Sequence, residues 1–572
     1  MFMRNQSAAS WFYSHWKLIS VLSIGGILAA WGVWTVRPTV MLPDESGAIE
    51  RTLRMGMNRN PFINNFYKGG NLHLYTLGLV FLPYYLYLRL TGQIDSVLAG
   101  ASNASDAVNP WTGSDPFVSA LYDFLVLGRL LSVFSAMITI YVVYQIGYLL
   151  YDKRAGEFAG ATLAVSMVFI NTAHFSTEDM LLTGLIATTL LFIVRYREGH
   201  RRRNLEVAAF MSGLAVSAKA TAGTLIFPLI FVFIHRIISD LGIELDTFDS
   251  IWKTLKELII YVSLALTGYV LTTPSLLVYP GTWYNDIFFE IANRETPFNS
   301  PEPGWVVQTG NLINGLGLPL FILVLAGIGF AFWQLWNSRR IDSLPSYLLI
   351  FIVTTFVIIG SWDTTSIWYI VPLIPLLAVF TGGFLSYGLS RQRLRRPIAI
   401  FAATVLIFSL IYTGSAMHQF EADSRSEASS WVESNVESDA AIDVYTTHHY
   451  LPGFPEDVQV NRLPIFLAKD IDNLDAAASR IRCGAPGYVV LSQFHNRRYL
   501  QHPDAYPRAT EFFSDLLEEK SGYKIVADFG SRIDPQSSTE TAIGNSMTPQ
   551  VYDANPRIVV LERMKSSNCE NQ

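Results

Sequence analysis

The sequence predicts a multi-pass α-helical membrane protein of about eleven spans, at most about thirteen, followed by an extracytoplasmic α/β domain. Of the 572 residues, 51% are hydrophobic and 15% are charged, whereas soluble proteins carry roughly 25% charged residues. From about residue 418 the composition becomes that of a soluble domain. We therefore divide the chain into a membrane domain, 1–417, and a soluble domain, 418–572.

Long apolar runs separated by polar loops identify the spans, although several are shorter than the ~20 residues that a bilayer requires. No small-residue cleavage site follows the first run, so we interpret it as an uncleaved span and not as a signal peptide. The runs that we interpret as spans are 18–36, 129–150, 157–173, 180–195, 205–218, 222–236, 257–272, 314–335, 344–361, 367–388 and 398–416.

Clusters of Lys, Arg and His predict the orientation, because basic loops stay in the cytoplasm. These clusters all share the side of the N-terminus, so we place that side in the cytoplasm and the C-terminal domain outside the cell membrane. The run 71–90 is apolar enough to span, but counting it would invert every later loop. We predict instead that it lies along or dips into the outer face. The clusters are at 153–154, 195–203, 235–236, 339–340 and 391–396.

The stretch that follows the first span carries two adjacent carboxylates, Asp44 and Glu45. Carboxylates at that depth are costly unless they are solvated, paired or used. Behind them Ile49, Leu53 and Met57 recur every fourth residue, which predicts an amphipathic helix on the membrane surface. A purely structural alternative is that Asp44 caps this helix.

A second acidic motif, His-Phe-Ser-Thr-Glu-Asp at 174–179, lies at the outer end of a predicted span. Group transfer needs one carboxylate to deprotonate an acceptor hydroxyl, and cations or a metal to hold a leaving phosphate. Asp44 is our candidate base and Asp179 its assistant. Lys68, Arg129 and Lys219 are the candidate cations at that face. For Lys219 we predict no buried partner, so its replacement by Met should affect folding little.

In the C-terminal domain, short β-branched runs alternate with helical patterns. Cys483 and Cys569 are the only cysteines; a disulfide is possible in that compartment, but spacing alone does not establish it. His448 and His449 are adjacent and point to opposite faces of a strand, so they predict no metal site. The predicted strands are 443–446, 487–491, 525–529 and 557–561, and the predicted helices are 467–482 and 510–520.

A series of short motifs follows in order along roughly 40–435. Each motif is weak alone, and their order and spacing make the set specific. The motifs are Leu-Pro-Asp-Glu at 42–45, Asn-Pro-Phe-Ile at 60–63, Phe-Tyr-Lys at 66–68, His-Leu-Tyr at 73–75, Gly-Arg-Leu-Leu-Ser at 128–132, the acidic motif at 174–179, Gly-Leu-Ala-Val-Ser-Ala-Lys-Ala-Thr at 213–221, Thr-Pro-Ser-Leu-Leu at 273–277, Pro-Gly-Trp at 303–305, Gly-Leu-Gly-Leu-Pro at 315–319, Tyr-Ile-Val-Pro-Leu-Ile-Pro at 369–375 and Asp-Ser-Arg-Ser-Glu-Ala-Ser-Ser-Trp at 423–431.

In these motifs the chain resembles bacterial dolichyl-phosphate-mannose-protein mannosyltransferase-like enzymes, which are membrane glycosyltransferases of the C superfamily and similar to glycosyltransferase family 39. The resemblance implies the C-superfamily fold and inverting transfer of a hexose or pentose from a polyprenyl-phosphate-sugar donor. The acceptor would be a glycan, a lipid or a protein at the outer face of the membrane. No nucleic-acid partner is implied, and no cofactor is required, although a divalent cation remains open.

The resemblance maps the catalytic aspartate to Asp44 and a second acidic position to Asp179, and the candidate catalytic residues are Asp44, Glu45 and Asp179. Lys68, Arg129, His174 and Lys219 become the candidate residues for binding the donor and its phosphate, and no metal ligands are identified.

Two departures from the family pattern bear on the donor. Trp368 stands where many relatives have an Arg, and Gly69-Gly70 stands where many have a Pro pair or Pro-Ser. Two alternatives remain: a lipid-linked-glycan ligase or polymerase on the same scaffold, and a lipid or sugar transporter. The predicted spans carry almost no ionisable residues, which argues against an ion-coupled transporter.

The predicted orientation has a direct test. Cysteines introduced at Ser105 and Ser538 should both react with a membrane-impermeant thiol reagent in intact cells, because loop 91–117 and the C-terminal domain are predicted to share the outer side. If Ser105→Cys reacts only after permeabilisation, 71–90 crosses the membrane and the orientation is wrong.

Overall fold

The computed structural model describes the polypeptide over most of its length. The described residues are 8–34, 43–66, 68–97, 116–240, 248–294, 302–339, 343–421, 423–446, 451–455, 457–465, 471–483, 486–530 and 556–564. Cys569, His448 and His449 lie outside them. Cys483 is exposed and forms no disulfide with any residue that the structure describes.

The membrane domain is a bundle of helices, several of which are interrupted near the site described below. Two 3₁₀ helices, Ala220–Leu225 and Ile367–Leu373, lie directly before the α-helices Ile226–His235 and Ile374–Ser390. The helices are α1 Ala8–Ala30, α2 Pro43–Met57, α3 Leu72–Leu90, α4 Pro116–Leu150, α5 Lys153–Ala164, α6 Met167–Ala173, α7 Glu178–Gly199, α8 Arg202–Ala218, α9 Ile226–His235, α10 Phe248–Thr272, α11 Ser275–Val278, α12 Pro280–Asn293, α13 Gly304–Leu316, α14 Leu318–Ser338, α15 Leu344–Gly360, α16 Ile374–Ser390 and α17 Arg395–His418.

Within the described residues, seven helices are long and apolar enough to cross a membrane, and two apolar helices are shorter. Each of these nine overlaps a predicted span, which confirms the multi-pass helical class. The predicted span 205–218 is α8, a helix of 17 residues. The seven are Ala120–Leu150, Glu178–Gly199, Ala220–Ile238, Asp249–Thr272, Leu318–Ser338, Ile367–Ser390 and Arg395–His418, and the shorter two are His15–Ala30 and Leu344–Gly360.

Two predicted spans are broken, and the last helix of the bundle closes both breaks. The run 157–173 divides into α5 and α6 at Val165, whose carbonyl oxygen accepts a hydrogen bond of 2.8 Å from the Thr413 hydroxyl. The run that begins at Asn314 breaks at Gly317, where φ is +72°, a conformation that glycine adopts without strain. The adjacent Tyr412 hydroxyl donates to the Asn314 carbonyl at 2.9 Å. Helix ends in a membrane need such partners.

The helix predicted behind Asp44 and Glu45 is confirmed as α2; its position on the membrane surface stays a prediction. Ile49 is fully buried, while Glu50 and Arg54 form an exposed pair on the opposite side. Helix α3 packs against α2 and α4 through Leu77, Phe81 and their neighbours. It is not among the described helices that are long and apolar enough to span.

Helices α8 and α10 cross with their backbones in contact, because each has a glycine at the crossing. A Cβ atom on Gly213 would lie 1.9 Å from the Ala265 carbonyl oxygen, and one on Gly268 would lie 2.4 Å from that of Phe210. Small residues allow such close approach of membrane helices. The crossing fixes the end of α8, where Lys219 follows.

The soluble domain contains a mixed five-stranded sheet with the strand order β2-β1-β3-β5-β4. β1 is parallel to β2 and β3, and β5 is antiparallel to β3 and β4. The elements are α18 Ser424–Asn435, β1 Ala441–Val444, β2 Gln459–Arg462, α19 Ile471–Arg482, β3 Tyr488–Ser492, α20 Gln493–Gln501, α21 Pro507–Leu517, β4 Tyr523–Phe529 and β5 Ile558–Arg563.

The four predicted strands and two predicted helices of this domain are confirmed, with shifted ends. β2, α18 and α20 were not predicted. β2 is a four-residue edge strand of sequence Gln-Val-Asn-Arg, too polar and too short to show an apolar alternation. Asp443 on β1 is fully buried and pairs with Arg480 of α19 at 2.7 Å.

Candidate functional site

Five side chains of alternating charge meet at one end of the bundle, and we call them the charge row: Asp44, Lys68, Glu178, Lys219 and Asp179. The Lys68 ammonium lies 2.9 Å from Asp44 and 3.5 Å from Glu178. The Lys219 ammonium lies 2.9 Å from Glu178 and 2.6 Å from Asp179. The structure thus brings together four of the residues singled out in the sequence and adds Glu178.

Lys68 is placed by its own backbone. Its carbonyl oxygen accepts a 2.7 Å hydrogen bond from the amide of Ala220, which follows Lys219. Gly69 has φ +116°, and a Cβ there would lie 2.6 Å from that amide. Only glycine fits such a position. The Gly69-Gly70 departure from the family pattern therefore has a structural reason, since it lets the two lysine-bearing segments touch.

Glu178 and Asp179 occupy the first turn of α7, where the helix dipole stabilises negative charge. Lys219 is the extended residue that ends α8. The side chains of these three residues are 8% exposed or less. The expectation that Lys219 has no buried partner is wrong: removing its charge would leave two buried carboxylates facing each other, which is strongly destabilising.

Asp44 is the outermost member of the charge row, with its side chain 58% exposed, and Lys68 is 32% exposed. The attraction of the Lys68 ammonium lowers the pKa of Asp44. Burial lowers the pKa of Lys68, but the attraction of Asp44 and Glu178 outweighs burial and raises it well above its usual value. Both groups are therefore charged at neutral pH, and Asp44 presents an ionised, accessible carboxylate.

Glu45 and Arg129 form a separate, buried pair. Arg129 donates two hydrogen bonds of 2.9 Å to the two carboxylate oxygens of Glu45, which is fully buried. Glu45 also accepts a 2.7 Å hydrogen bond from the amide of Ser176, and Arg129 donates to the Val33 carbonyl. This pair fastens α2 to α4, to the end of α1 and to the loop before α7.

The Glu45–Arg129 pair changes the interpretation of both residues, which the sequence suggested as functional candidates. Asp44 and Glu45 point in different directions, and Glu45 has no exposed oxygen. The guanidinium of Arg129 is occupied by Glu45, so its placement does not support the prediction that Arg129 binds a phosphate. Glu45 and Arg129 together hold Asp44 and the 174–179 loop in position.

His174 also faces inward. Its ring nitrogens lie against the carbonyl oxygens of Ile170 and Trp31, and its ring stacks on Phe420 with centroids 4.8 Å apart. Burial lowers the pKa of His174 to about 4, which makes the ring neutral at pH 7. A neutral imidazole can donate to only one of these two carbonyl oxygens, and its buried position between the backbone and Phe420 fits a structural link better than a phosphate ligand.

Arg294 is a cation that sequence reasoning missed. Its guanidinium lies 4.8 Å from the ring centre of Trp362 and 5.1 Å from that of Tyr369. It pairs with Glu290 at 2.8 Å and donates to the Tyr369 hydroxyl. One indication was available: Arg294 is the only Lys or Arg in the stretch 274–305.

Arg294 is connected to the charge row through Tyr369, since its guanidinium lies against the Tyr369 ring. Tyr369 and Trp368 line a narrow cavity that also contains Asp179 and Thr221. The indole of Trp368, which stands where many relatives have an Arg, packs against Phe175. A guanidinium is therefore present beside this cavity, but it comes from a different segment of the chain.

An apolar groove begins beside the two lysines, and we call it the lysine groove. It lies between α8, α9 and α10, has a volume of about 720 Å³, and starts at Gly69 and Ala220. It continues to Leu205 and Tyr261. Along α8, the 13 residues from Leu205 to Ala218 correspond to about 20 Å.

The described side chains of the charge row do not form a metal centre. Among the described residues, no group of three or more His, Cys, Asp or Glu side chains is arranged to hold a metal ion. The ammonium groups of Lys68 and Lys219 separate the three carboxylates of the charge row. The arrangement can instead bind a phosphate through lysines and accept a proton at Asp44.

Comparison with known proteins confirms the resemblance noted in the sequence. Residues 123–277 match the family described as dolichyl-phosphate-mannose-protein mannosyltransferase. No curated protein matches the chain by sequence.

Two solved structures share the fold. ArnT from Cupriavidus metallidurans in the apo state is 14% identical, with a TM-score of 0.50, over 97% of this chain and 98% of that one. The apo oligosaccharyltransferase of Archaeoglobus fulgidus is 12% identical, with a TM-score of 0.50, over 97% and 89%. At such identities the likeness shows the fold alone.

The buried pair can be tested by unfolding. Glu45→Gln leaves the Arg129 charge buried without its partner, so we expect the free energy of unfolding to fall by about 3–5 kcal/mol. The matched control is Glu50→Gln on the same helix, which breaks an exposed pair worth roughly 0.5 kcal/mol or less. Thermal or denaturant unfolding of the purified protein measures both. Equal effects would show that the buried pair does not fasten α2.

Proposed function

We propose that this membrane glycosyltransferase transfers a sugar from a polyprenyl-phosphate donor to an acceptor hydroxyl, with inversion at the anomeric carbon. The observation that carries the proposal is the lysine groove, an apolar channel with one end lined by Gly69 and Ala220, the residues that directly follow the two lysines of the charge row. A donor of this class has the same two parts in the same order, an apolar chain and a phosphate.

The groove suits the lipid part of the donor. Its walls are aliphatic or aromatic apart from a few hydroxyl groups, and it opens along membrane-facing helices. At its mouth the Tyr269 hydroxyl donates to the Gly69 carbonyl and accepts a 2.7 Å hydrogen bond from the Trp283 indole. These contacts fasten the loop that carries Lys68 to the wall of the groove. An isoprenoid chain in the groove would bring its phosphate to the lysines.

Lys68, Lys219 and Arg294 are our proposed phosphate ligands. The charge row by itself has three carboxylates and two ammonium groups, so a phosphate would meet a net negative charge there. A further cation is needed, and Arg294 contacts Tyr369, which lines the same narrow cavity as Asp179. Its guanidinium is held by Glu290 and the Tyr369 hydroxyl, and we propose that its remaining N–H groups donate to a phosphate oxygen.

Asp44 is our proposed general base. The acceptor oxygen attacks the anomeric carbon of the sugar while the bond from that carbon to the phosphate oxygen breaks. The hydroxyl proton passes to the Asp44 carboxylate, and the polyprenyl phosphate leaves with the bonding electrons. Among the three carboxylates of the charge row, Asp44 is the one that is exposed to an incoming acceptor.

Glu178 and Asp179 have a positioning role in this scheme. They fix Lys219, and Glu178 also lies 3.5 Å from the Lys68 ammonium. A lysine that is held by carboxylates keeps its charge and needs little reorganisation when the leaving phosphate develops negative charge.

Replacement of the base tests the chemistry. Asp44→Asn keeps the shape of the side chain but cannot accept a proton, so we expect turnover to fall by about 10²–10⁴-fold. Folding should survive, because Asp44 is more than half exposed. Transfer of radiolabelled sugar from a polyprenyl-phosphate-sugar measures the effect, with Asp363→Asn, an exposed aspartate near Arg294, as the matched control. Full activity in Asp44→Asn would refute the assignment.

Filling the groove tests the donor class. Val262 lines the lysine groove, whereas Ile259, one turn earlier on α10, does not. We expect Val262→Trp to raise the KM for a long-chain polyprenyl donor roughly tenfold or more, as loss of two or three buried methylenes would. Ile259→Trp should leave the KM unchanged.

A donor with a shortened lipid separates the effects, because it leaves most of the groove empty and should be less sensitive to Val262→Trp. If the two tryptophan variants behave alike with both donors, the groove does not hold the lipid.

A further inference from the structure

A second apolar groove lies at the opposite end of the bundle from the charge row. It runs between the last two turns of α14 and the first half of α15, and has a volume of about 700 Å³. We call it the Arg339 groove, and its apolar walls include Phe332, Trp336, Leu349 and Val353. The volume is within the range of about 300–1,000 Å³ that ligand sites have.

The position of this groove follows from the direction of α15. The helix ends at Gly360, where a Cβ would lie 2.6 Å from the Trp305 ring, and Trp362 beside Arg294 follows two residues later. Along α15 the groove is lined from Ser346 to Thr354, which lie 14 and 6 residues before Gly360, or about 21 and 9 Å along the helix. It therefore serves a purpose distinct from that of the charge row.

One end of the groove is positively charged. Arg339 lines it, and this side chain is exposed and makes no hydrogen bond or ion pair with any other residue in the described part of the chain. Helix α15 begins at the same end after Ser343, whose side chain provides no cap for the first amide groups. Pro345 has no amide hydrogen and the Ser346 amide donates to the Ser343 carbonyl at 3.0 Å, so the attraction for anions at this end comes from Arg339 and the helix dipole.

The other walls of the groove face the membrane. The Trp336 side chain is 84% exposed and Phe332 is 50% exposed. Tryptophan at the end of a membrane helix is typical of the level of the lipid headgroups. From Ser346 to Thr354 the groove extends over eight residues of α15, about 12 Å into the apolar layer.

We propose that the Arg339 groove binds one anionic phospholipid of the membrane. An acyl chain occupies the space between α14 and α15, and the headgroup phosphate contacts the Arg339 guanidinium beside the start of α15. A soluble phosphate could use the charged end but would leave the apolar walls uncovered. A phospholipid matches both parts, and anionic headgroups add attraction to Arg339. This proposal does not depend on the proposed transfer reaction.

Native mass spectrometry of the full-length protein tests the proposal. The protein is released from detergent after incubation with phosphatidylglycerol or phosphatidylcholine. We expect one phosphatidylglycerol to remain bound to the unmodified protein. Arg339→Gln should weaken its binding roughly tenfold, the change that loss of one charge-assisted hydrogen bond produces. Val353→Trp, which fills the groove, should remove it.

The matched control is Arg393→Gln, an exposed arginine in the loop between α16 and α17, which should retain the lipid. Four outcomes would overturn the proposal. They are unchanged binding in Arg339→Gln, equal loss in Arg393→Gln, equal retention of phosphatidylcholine, and a dimer that Val353→Trp dissociates, since a second copy would then cover the groove. The readout needs no turnover, so it stands apart from the proposed function.

Discussion

The site depends on the ammonium group of Lys219, which lies almost out of contact with solvent between Glu178 and Asp179. Neither carboxylate could remain charged at that depth without it, and the lysine could not remain charged without them. The interaction joins the start of α7 to the end of α8. Because Ala220 in turn holds the Lys68 carbonyl, the same contact sets the position of the second lysine and, through it, of Asp44.

The backbone around Lys219 is as constrained as its charge. Gly69, Gly70 and Gly213 lie where a Cβ atom would overlap neighbouring backbone, so three close approaches meet within a few residues of the ammonium group. The Glu45–Arg129 pair performs a similar task on the other side, where it fastens the surface helix to the loop before Glu178. Rigid segments on both sides keep Asp44 beside Lys68 while its carboxylate stays accessible.

Sequence patterns predicted the membrane helices, the surface helix and four of the five members of the charge row. They did so because apolar length and an acidic residue at a helix end are local properties. Three features were not predictable, since each depends on residues far apart in the chain. The pairing of Glu45 with Arg129 crosses 84 positions, and Thr413 closes a helix break 248 positions earlier. Arg294 approaches Tyr369 from a loop that shows no motif of its own.

Each of the two grooves has one end near a cationic side chain, and the cations of the two grooves differ in which side chains already contact them. Lys68 and Lys219 face carboxylates, so a phosphate entering the lysine groove must compete with groups of like charge. In the proposed reaction, that competition would weaken the binding of both the donor and the leaving lipid phosphate, so that the product does not block the next cycle. At Arg339 no described carboxylate competes. In the proposed scheme the Arg339 groove therefore keeps its lipid bound, whereas the lysine groove exchanges its lipid in every cycle.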